Sequence, residues 1–310
     1  MRFGDNMRDV AVTEGNKVTT QAKLGWSVDY YGIGDLVEEI NQVTDEEADA
    51  LIEEYKNSYT VVTDDIAAIK EQAKYEIALE RFLNKTESTA FTTNFQDLHG
   101  LKQLPGLSAQ RLMAKGYGFG AEGDWKTAAL TRAMKIMSEN DSTAFMEDYT
   151  YNLVKGEEAI LGAHMLEVCP TIADGEIKLD VQPLGIGDRE PPARLIFNSK
   201  AGEAICVSLV DLGNRLRLIC AEVECIPTPE PMPKLPVASA MWKPYPDFKN
   251  GVKAWLLAGG AHHSVLSYTL TKEHIIDFAR MAGIECVVIG KDTNISDFEL
   301  KLMLGDAAWH

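Results

Sequence analysis

Positive charge is in short supply in this 310-residue sequence: 30 lysines and arginines stand against 47 aspartates and glutamates, a formal net charge of −17. Nucleic acids and anionic membranes are polyanions and therefore poor partners, whereas a cation or a neutral small molecule fits. The opening MRFGDNMRDVAV has no apolar signal-peptide core and no run reaches membrane-spanning length, so the expectation is a cytoplasmic protein. The five cysteines (Cys169, Cys206, Cys220, Cys225 and Cys286) lack zinc-site spacing and sit mostly in strand-like apolar runs, as reduced core residues do. A P-loop, a G-x-S-x-G nucleophile elbow and an H-E-x-x-H helix are all absent, which removes the commonest nucleotide, hydrolase and metalloprotease readings. No internal repeat is visible.

What remains is a globular composition, 45% hydrophobic and 25% charged, in a chain long enough for two domains with cores of their own. Residues 9–13 and 17–22 flank Glu14-Gly15-Asn16 as a small hairpin. Helical spacing follows over 34–42, 45–55 (with Thr44 and Glu47 as a capping pair), 64–83 and 107–115, the last closed by Gly116. A short strand at 90–93 lies among these helices, and a glycine-rich turn, YGFGAEGD, runs into a further helix capped by Asp124. This alternation predicts an α/β domain of Rossmann/flavodoxin-like type over residues 1–141. Beyond Ser138-Glu139-Asn140-Asp141 the character turns to β, with strands expected at 176–182, 193–198, 203–211 and 215–224. The segment 227–246, with its PTPEPMPKLP run, reads as a crossing connection. A helix over 272–281, a strand at 284–289 and a terminal helical turn from Ser296 complete the chain. The expected fold class is thus an α/β domain followed by an antiparallel β-barrel-like domain, 142–310, with a few helices.

Chemistry-bearing residues gather at three places. Residues 145–154 and 159–168 flank Lys155-Gly156-Glu157-Glu158 as a hairpin; a four-residue turn puts Glu147 opposite Leu166 and Tyr149 opposite His164, leaving Glu147 and His164 as diagonal neighbours. A structural Glu–His hydrogen bond, which the hairpin alone favours, and half of a metal site are both compatible with that pairing. Glu122 lies just before a helix start, where a carboxylate is stabilised, and is either a solvated loop residue or a ligand. Its anionic side chain argues against taking Gly118-Phe119-Gly120-Ala121-Glu122-Gly123 as a dinucleotide loop. In Gly259-Gly260-Ala261-His262-His263, strand alternation lets only one of the two histidines face a given site. His99, His274 and His310 read as ordinary histidines. Glu122, Glu147, His164 and one of His262 and His263 together make an O/N donor set suited to Mn²⁺, Co²⁺, Fe²⁺ or Zn²⁺.

The blocks NMRDVAVTEG, AFTTNFQDLHGLKQLPGL, AEGDWKTAAL, FMEDYTY, LGAHMLEVCP, RLIFN, KLPVASAMWKPYPD and LAGGAHHSV, in this order along nearly the whole chain, resemble the bacterial L-arabinose isomerases. The resemblance implies a metal-dependent aldose–ketose isomerase that converts L-arabinose to L-ribulose, often also D-galactose to D-tagatose, with Mn²⁺ or a related ion such as Co²⁺. It implies metal ligands Glu122, Glu147, His164 and His263, with the two glutamates as the acid–base pair. Phe95, as an aromatic wall, and His262 are the implied sugar contacts. It also implies a homo-oligomer and a further N-terminal domain that this chain lacks. That departure leaves open an alternative, a non-catalytic metal-binding or assembly subunit.

Overall fold

The computed structural model describes residues 1–229 and 232–309. Its first part alternates short strands and helices: β1 (Arg2–Phe3), α1 (Lys17–Leu24), β2 (Tyr30–Tyr31), α2 (Ile33–Ile40), α3 (Asp45–Ser58), β3 (Thr60–Val61), α4 (Ile66–Lys85), β4 (Ala90–Phe91), α5 (Gly106–Ala114), β5 (Gly118–Phe119) and α6 (Trp125–Met137). The strands β1 and β2 pair in parallel, as do β4 and β5, and a parallel bridge between Arg2 and Thr92 links the two pairs. Helix starts follow the caps. The Thr44 side chain accepts from Glu47 N while Glu47 reaches back to Thr44 N, and Asp65 and Asp124 accept from Ala68 N and Thr127 N. Ile69, Ala73, Leu79 and Leu83 of α4 are buried along one face, as the helical spacing requires.

The expected hairpin around Glu14-Gly15-Asn16 is not formed. Residues 17–24 are helix α1, because the Asn16 side chain accepts from Val18 N and Thr19 N and thereby caps a helix where a turn was anticipated.

From Thr143 on, the chain is mostly sheet: β6 (Thr143–Glu147), β7 (Thr150–Asn152), β8 (Ala159–Ala163), β9 (Lys178–Val181), β10 (Ala193–Ile196), β11 (Gly202–Asp211), β12 (Leu216–Ile226), β13 (Ser239–Pro244), α7 (Phe248–Leu257), β14 (His263–Ser267), α8 (Lys272–Ala282), β15 (Glu285–Ile289) and α9 (Ile295–Ala308). Eight strands form one sheet in the order β6-β14-β11-β12-β13-β8-β7, with β15 added in parallel to β12 and every other pairing antiparallel. The sheet curls into a half-barrel. Gly162 on β8 and Met146 on β6 lie five positions apart in the sheet, yet a Cβ on Gly162 would stand 2.8 Å from Met146 Sδ. The α/β portion followed by a barrel-like antiparallel sheet is the fold class read from the sequence.

Both faces of this sheet are buried, and the period of two separates them. Ile205, Val207 and Leu209 of β11 share one cluster with Leu130 and Met134 of α6, whereas Ala204, Cys206 and Val210 enter the main core. His263 has the parity of Val265, so it emerges on the side that α6 covers.

Several sequence expectations are corrected here. The hairpin that pairs with β8 is formed by β7 alone, in a register that sets Tyr151 opposite Ile160, two residues from the expected one, because a six-residue loop replaces the four-residue turn. Asn152 explains the extra length: its side chain accepts from Val154 N and donates to Glu157 O, building the loop itself. Strand β6 pairs instead with β14, which places Glu147 opposite His263, not beside Leu166. Within 227–246, no strand occurs among the described residues of PTPEPMPKLP, Glu230 and Pro231 lying outside them, but Ser239–Pro244 pairs on both sides, with β12 and β8. The terminal helical turn is the 14-residue helix α9.

The curl gives a stability test. A Cβ at Gly162 would stand 2.0 Å from Trp242 Cζ3 and 2.8 Å from Met146 Sδ, so Gly162→Ala overpacks the closure and should cost about 1–3 kcal/mol in urea unfolding. Gly34, in α2 with nothing within 4 Å of an added Cβ, serves as the control; Gly34→Ala should be neutral or stabilising by up to about 1 kcal/mol.

Candidate metal centre

The turn before α6 supplies the first carboxylate. Glu122 has φ of +61°, a left-handed conformation uncommon outside glycine, and its backbone is fixed from two sides: Met7 N donates to Glu122 O at 2.9 Å and Gly123 N donates to Thr93 O at 3.0 Å. Gly123, also at positive φ, packs where a Cβ would stand 2.8 Å from Asp5 O. This backbone aims the Glu122 side chain at the histidines.

His263 opens β14, and its side chain is 0% exposed. Its Nδ1 lies 3.1 Å from Asp124 Oδ2, and an ionised carboxylate only accepts, so Nδ1 carries the proton and donates it. Nε2 is then a bare lone pair, buried and without any hydrogen-bond partner, 3.7 Å from Glu122 Oε2. Burial pushes the His263 pKa down to about 4 against the pull of Asp124, which keeps the ring neutral. Asp124 is held well below the ordinary carboxylate range. Its burial opposes ionisation, but the Lys126 ammonium at 3.2 Å and the donors His263 Nδ1, Thr127 N and Thr127 Oγ1 outweigh it.

His164 follows β8 and repeats the arrangement. A tight turn, in which Glu167 N donates to His164 O, brings Glu167 Oε2 to 2.7 Å from His164 Nδ1. Burial disfavours the His164 cation, yet the carboxylates of Glu167, Glu147 and Glu122 overcome it and hold the pKa up at about 9. The Phe145 ring packs against both imidazoles, its centroid 5.0 Å from that of His164 and 5.1 Å from that of His263. Ligand atoms of Glu122, His164 and His263 all lie within 4.8 Å of one another.

The remaining candidates fall around this cluster. Glu147 faces His263 across the β6–β14 ladder; burial raises its pKa, and His164, His262 and Glu122 are the charges it senses. His262 Nε2 lies 3.2 Å from Glu122 Oε2. Both neighbouring histidines therefore reach one carboxylate, contrary to the alternation argument, because the strand begins at His263 and His262 stands just off its end. Phe95 lines a narrow cleft together with Glu122, His164, Glu167 and Ile186. His99 is exposed, and His274 Nδ1 accepts from Thr271 N at the start of α8; neither approaches the site. His310 lies outside the described residues.

Two residues escaped the sequence reading in this role: Asp124, noted only as a helix cap, and Glu167. The signal was their spacing, two residues after Glu122 and three after His164. An orphaned buried Nε2, oxygen donors beside it and no thiolate in the set fit a divalent cation of borderline character.

The Glu167–His164 pair sets a pH dependence for the metal-free protein. The folded pKa of His164 lies above its ordinary 6.5, so the stabilisation is fully present below pH 6.5 and is lost as pH rises through about 9. With chelator present, Glu167→Gln should cost on the order of 3 kcal/mol at the acid end of that window, and the deficit should shrink toward its alkaline end. Urea unfolding across the window checks this, and a deficit independent of pH contradicts it.

Residues 1–140 match the family model for the L-arabinose isomerase central domain, and residues 142–285 match that for the L-arabinose isomerase C-terminal domain. The chain is 56% identical over 309 residues to the L-arabinose isomerase of Shouchella clausii (strain KSM-K16), covering 99% of this chain and 64% of that protein. It is 55% identical over 309 residues to the enzyme of the same name from Clostridium beijerinckii and 54% over 314 residues to that of Geobacillus stearothermophilus, in each case covering 99% of this chain and 63% of the relative. The chain thus spans about 64% of the length of the curated relatives it matches. It belongs to the L-arabinose isomerase family, of which it carries the central and C-terminal domains.

Proposed function

We propose that this chain is an aldose–ketose isomerase that converts L-arabinose to L-ribulose, with D-galactose to D-tagatose as a further conversion, using Mn²⁺, or Co²⁺ in its place, held by Glu122, Glu147, His164 and His263. The observation that carries the reading is the pair of imidazoles, each with Nδ1 committed to a carboxylate, which leaves Nε2 for a cation beside Glu122, bare at His263 and freed at His164 by loss of its proton. A bound divalent ion supplies Lewis-acid stabilisation of charge on neighbouring sugar oxygens. The proton on C2 of an aldose is weakly acidic, and the two glutamates move it to C1 through an enediol. Their environments differ: burial keeps Glu147 above the ordinary carboxylate range, while the imidazoles of His262, His263 and His164 overcome burial and keep Glu122 below it. A proton therefore resides more readily on Glu147, and Glu122 is the charged partner. Phe95 walls the sugar cleft and His262, bonded to Glu122, offers its imidazole to a sugar hydroxyl.

A second reading, a non-catalytic metal-binding or assembly subunit, is kept because the chain spans only about 64% of its relatives' length. Self-association into a homo-oligomer belongs to both readings. Incubation with L-arabinose and Mn²⁺, followed by a ketose assay, separates them. Ketose formation supports the isomerase; tight Mn²⁺ binding with no product at any protein concentration supports the subunit.

Glu122→Gln and Glu147→Gln should each lower turnover by at least about 10²–10⁴-fold and leave the circular dichroism spectrum unchanged. His164→Ala or His263→Ala should weaken Mn²⁺ binding at least about tenfold, against little change for His99→Ala or His274→Ala. Equal losses at all four histidines would show that the ligand set is wrong.

A further inference from the structure

Four carbonyls frame the loop that delivers His262 and His263, and each has a donor. Ala258 O accepts from Arg217 Nη1 at 2.8 Å, Ala261 O from Trp255 Nε1 at 3.2 Å, His262 O from Asp148 N at 3.2 Å and His263 O from Ser208 Oγ at 2.9 Å. The last two donors belong to strands or strand ends that flank β14, so sheet pairing itself brings them there. Arg217 acts before the two glycines of the loop. Between Ala258 and Ala261 stand two glycines, Gly259, at φ +85°, and Gly260, residues with intrinsically wide backbone freedom.

Trp255 removes that freedom. It lies on the last turns of α7, its own carbonyl accepts from Gly260 N at 2.8 Å, and its indole folds over Gly260 so closely that any Cβ there would overlap Nε1. The same ring lines a small cavity with Asp148, Trp242, His262 and Ser264, so the indole both packs the loop and borders the space beside His262. Its N–H reaches the carbonyl immediately before His262. A shift there turns the peptide that carries the His262 ring and moves the first residue of β14, His263.

We propose that Trp255 is a positioning residue for His262 and His263: its indole N–H, through Ala261 O, fixes the Gly-Gly loop so that both imidazoles converge on Glu122. This rests on the metal-site reading above for the role of His263, but the positioning itself does not. Trp255 stands outside the Glu122, His164 and His263 cluster, and its indole N–H bonds the backbone, so its role is one of positioning.

The test uses the whole chain in three forms: unaltered, Trp255→Phe, which keeps a ring and loses the donor, and Trp255→benzothienylalanine, which keeps the bicyclic shape and replaces N–H by sulfur. Mn²⁺ affinity is read by electron paramagnetic resonance and the imidazole nitrogens by long-range ¹H–¹⁵N correlation in the metal-free protein. Both variants should bind Mn²⁺ about tenfold more weakly, with His262 and His263 nitrogen signals displaced, those of His164 unmoved and the melting temperature little changed. If Trp255→Phe fails to fold, the shape-preserving variant decides. Unaltered Mn²⁺ affinity and unmoved His262 and His263 signals would overturn the proposal. Should the unaltered protein itself not bind Mn²⁺ while those signals move in the variants, the metal reading falls and the positioning role stands.

Discussion

A buried imidazole has two nitrogens to satisfy, and in this fold a carboxylate takes one of them at both His164 and His263. That constraint fixes the ring plane and the direction of the second nitrogen in both, and the tautomer of the neutral His263. It also explains why so much charge lies inside the protein. Asp124 is fully ionised in the interior because Lys126, Thr127 and His263 surround it, and it caps α6 with the same carboxylate. Removing any partner would leave a buried charge uncompensated, a larger penalty than the pair's own net contribution.

The network reaches further than the site. Lys126, 1% exposed, also donates to Val12 O and Glu14 O, while the Glu14 carboxylate accepts from Trp125 Nε1 and Arg2 Nη1. The stretch before α1 is thereby strapped across the start of α6, and Met7 N closes the strap on Glu122 O. On the far side, Gln110 of α5 holds Val168 O and both polar groups of Leu195, fixing the segment that follows His164. Elements far apart in sequence, residues 5–14, 122–126, 147, 164–167 and 262–263, meet because the curled sheet and α6 bring their ends to one place.

How much of this could be read from residues alone depends on how local the cause is. Helices α3 to α6 were legible because their caps and apolar stripes lie within a turn or two, and Asp124 was recognisable as a cap for the same reason. The partner of Glu147 was not: β6 pairs with β14 more than a hundred residues later, and nothing within residues 142–170 distinguishes that pairing from a local hairpin. Asn16 misled because an asparagine after glycine signals a turn and a helix cap equally well. The two site histidines were visible as candidates, but their orienting carboxylates were not, since Glu167 depends on a turn geometry and Asp124 on a strand arriving from the other end of the chain. His262 and His263 converge because the strand starts between them, a boundary that composition does not mark.

The central claim is that Nε2 of His263, already a lone pair, and Nε2 of His164, freed when the ion displaces its proton, form one divalent-cation site with the glutamates beside them. It is tested most directly by anomalous diffraction at the manganese edge from crystals grown with Mn²⁺. The account predicts a single strong peak in contact with Nε2 of His164, Nε2 of His263 and the carboxylates of Glu122 and Glu147. A peak elsewhere, or one bound through Nδ1 of either histidine with Asp124 or Glu167 displaced, would contradict it.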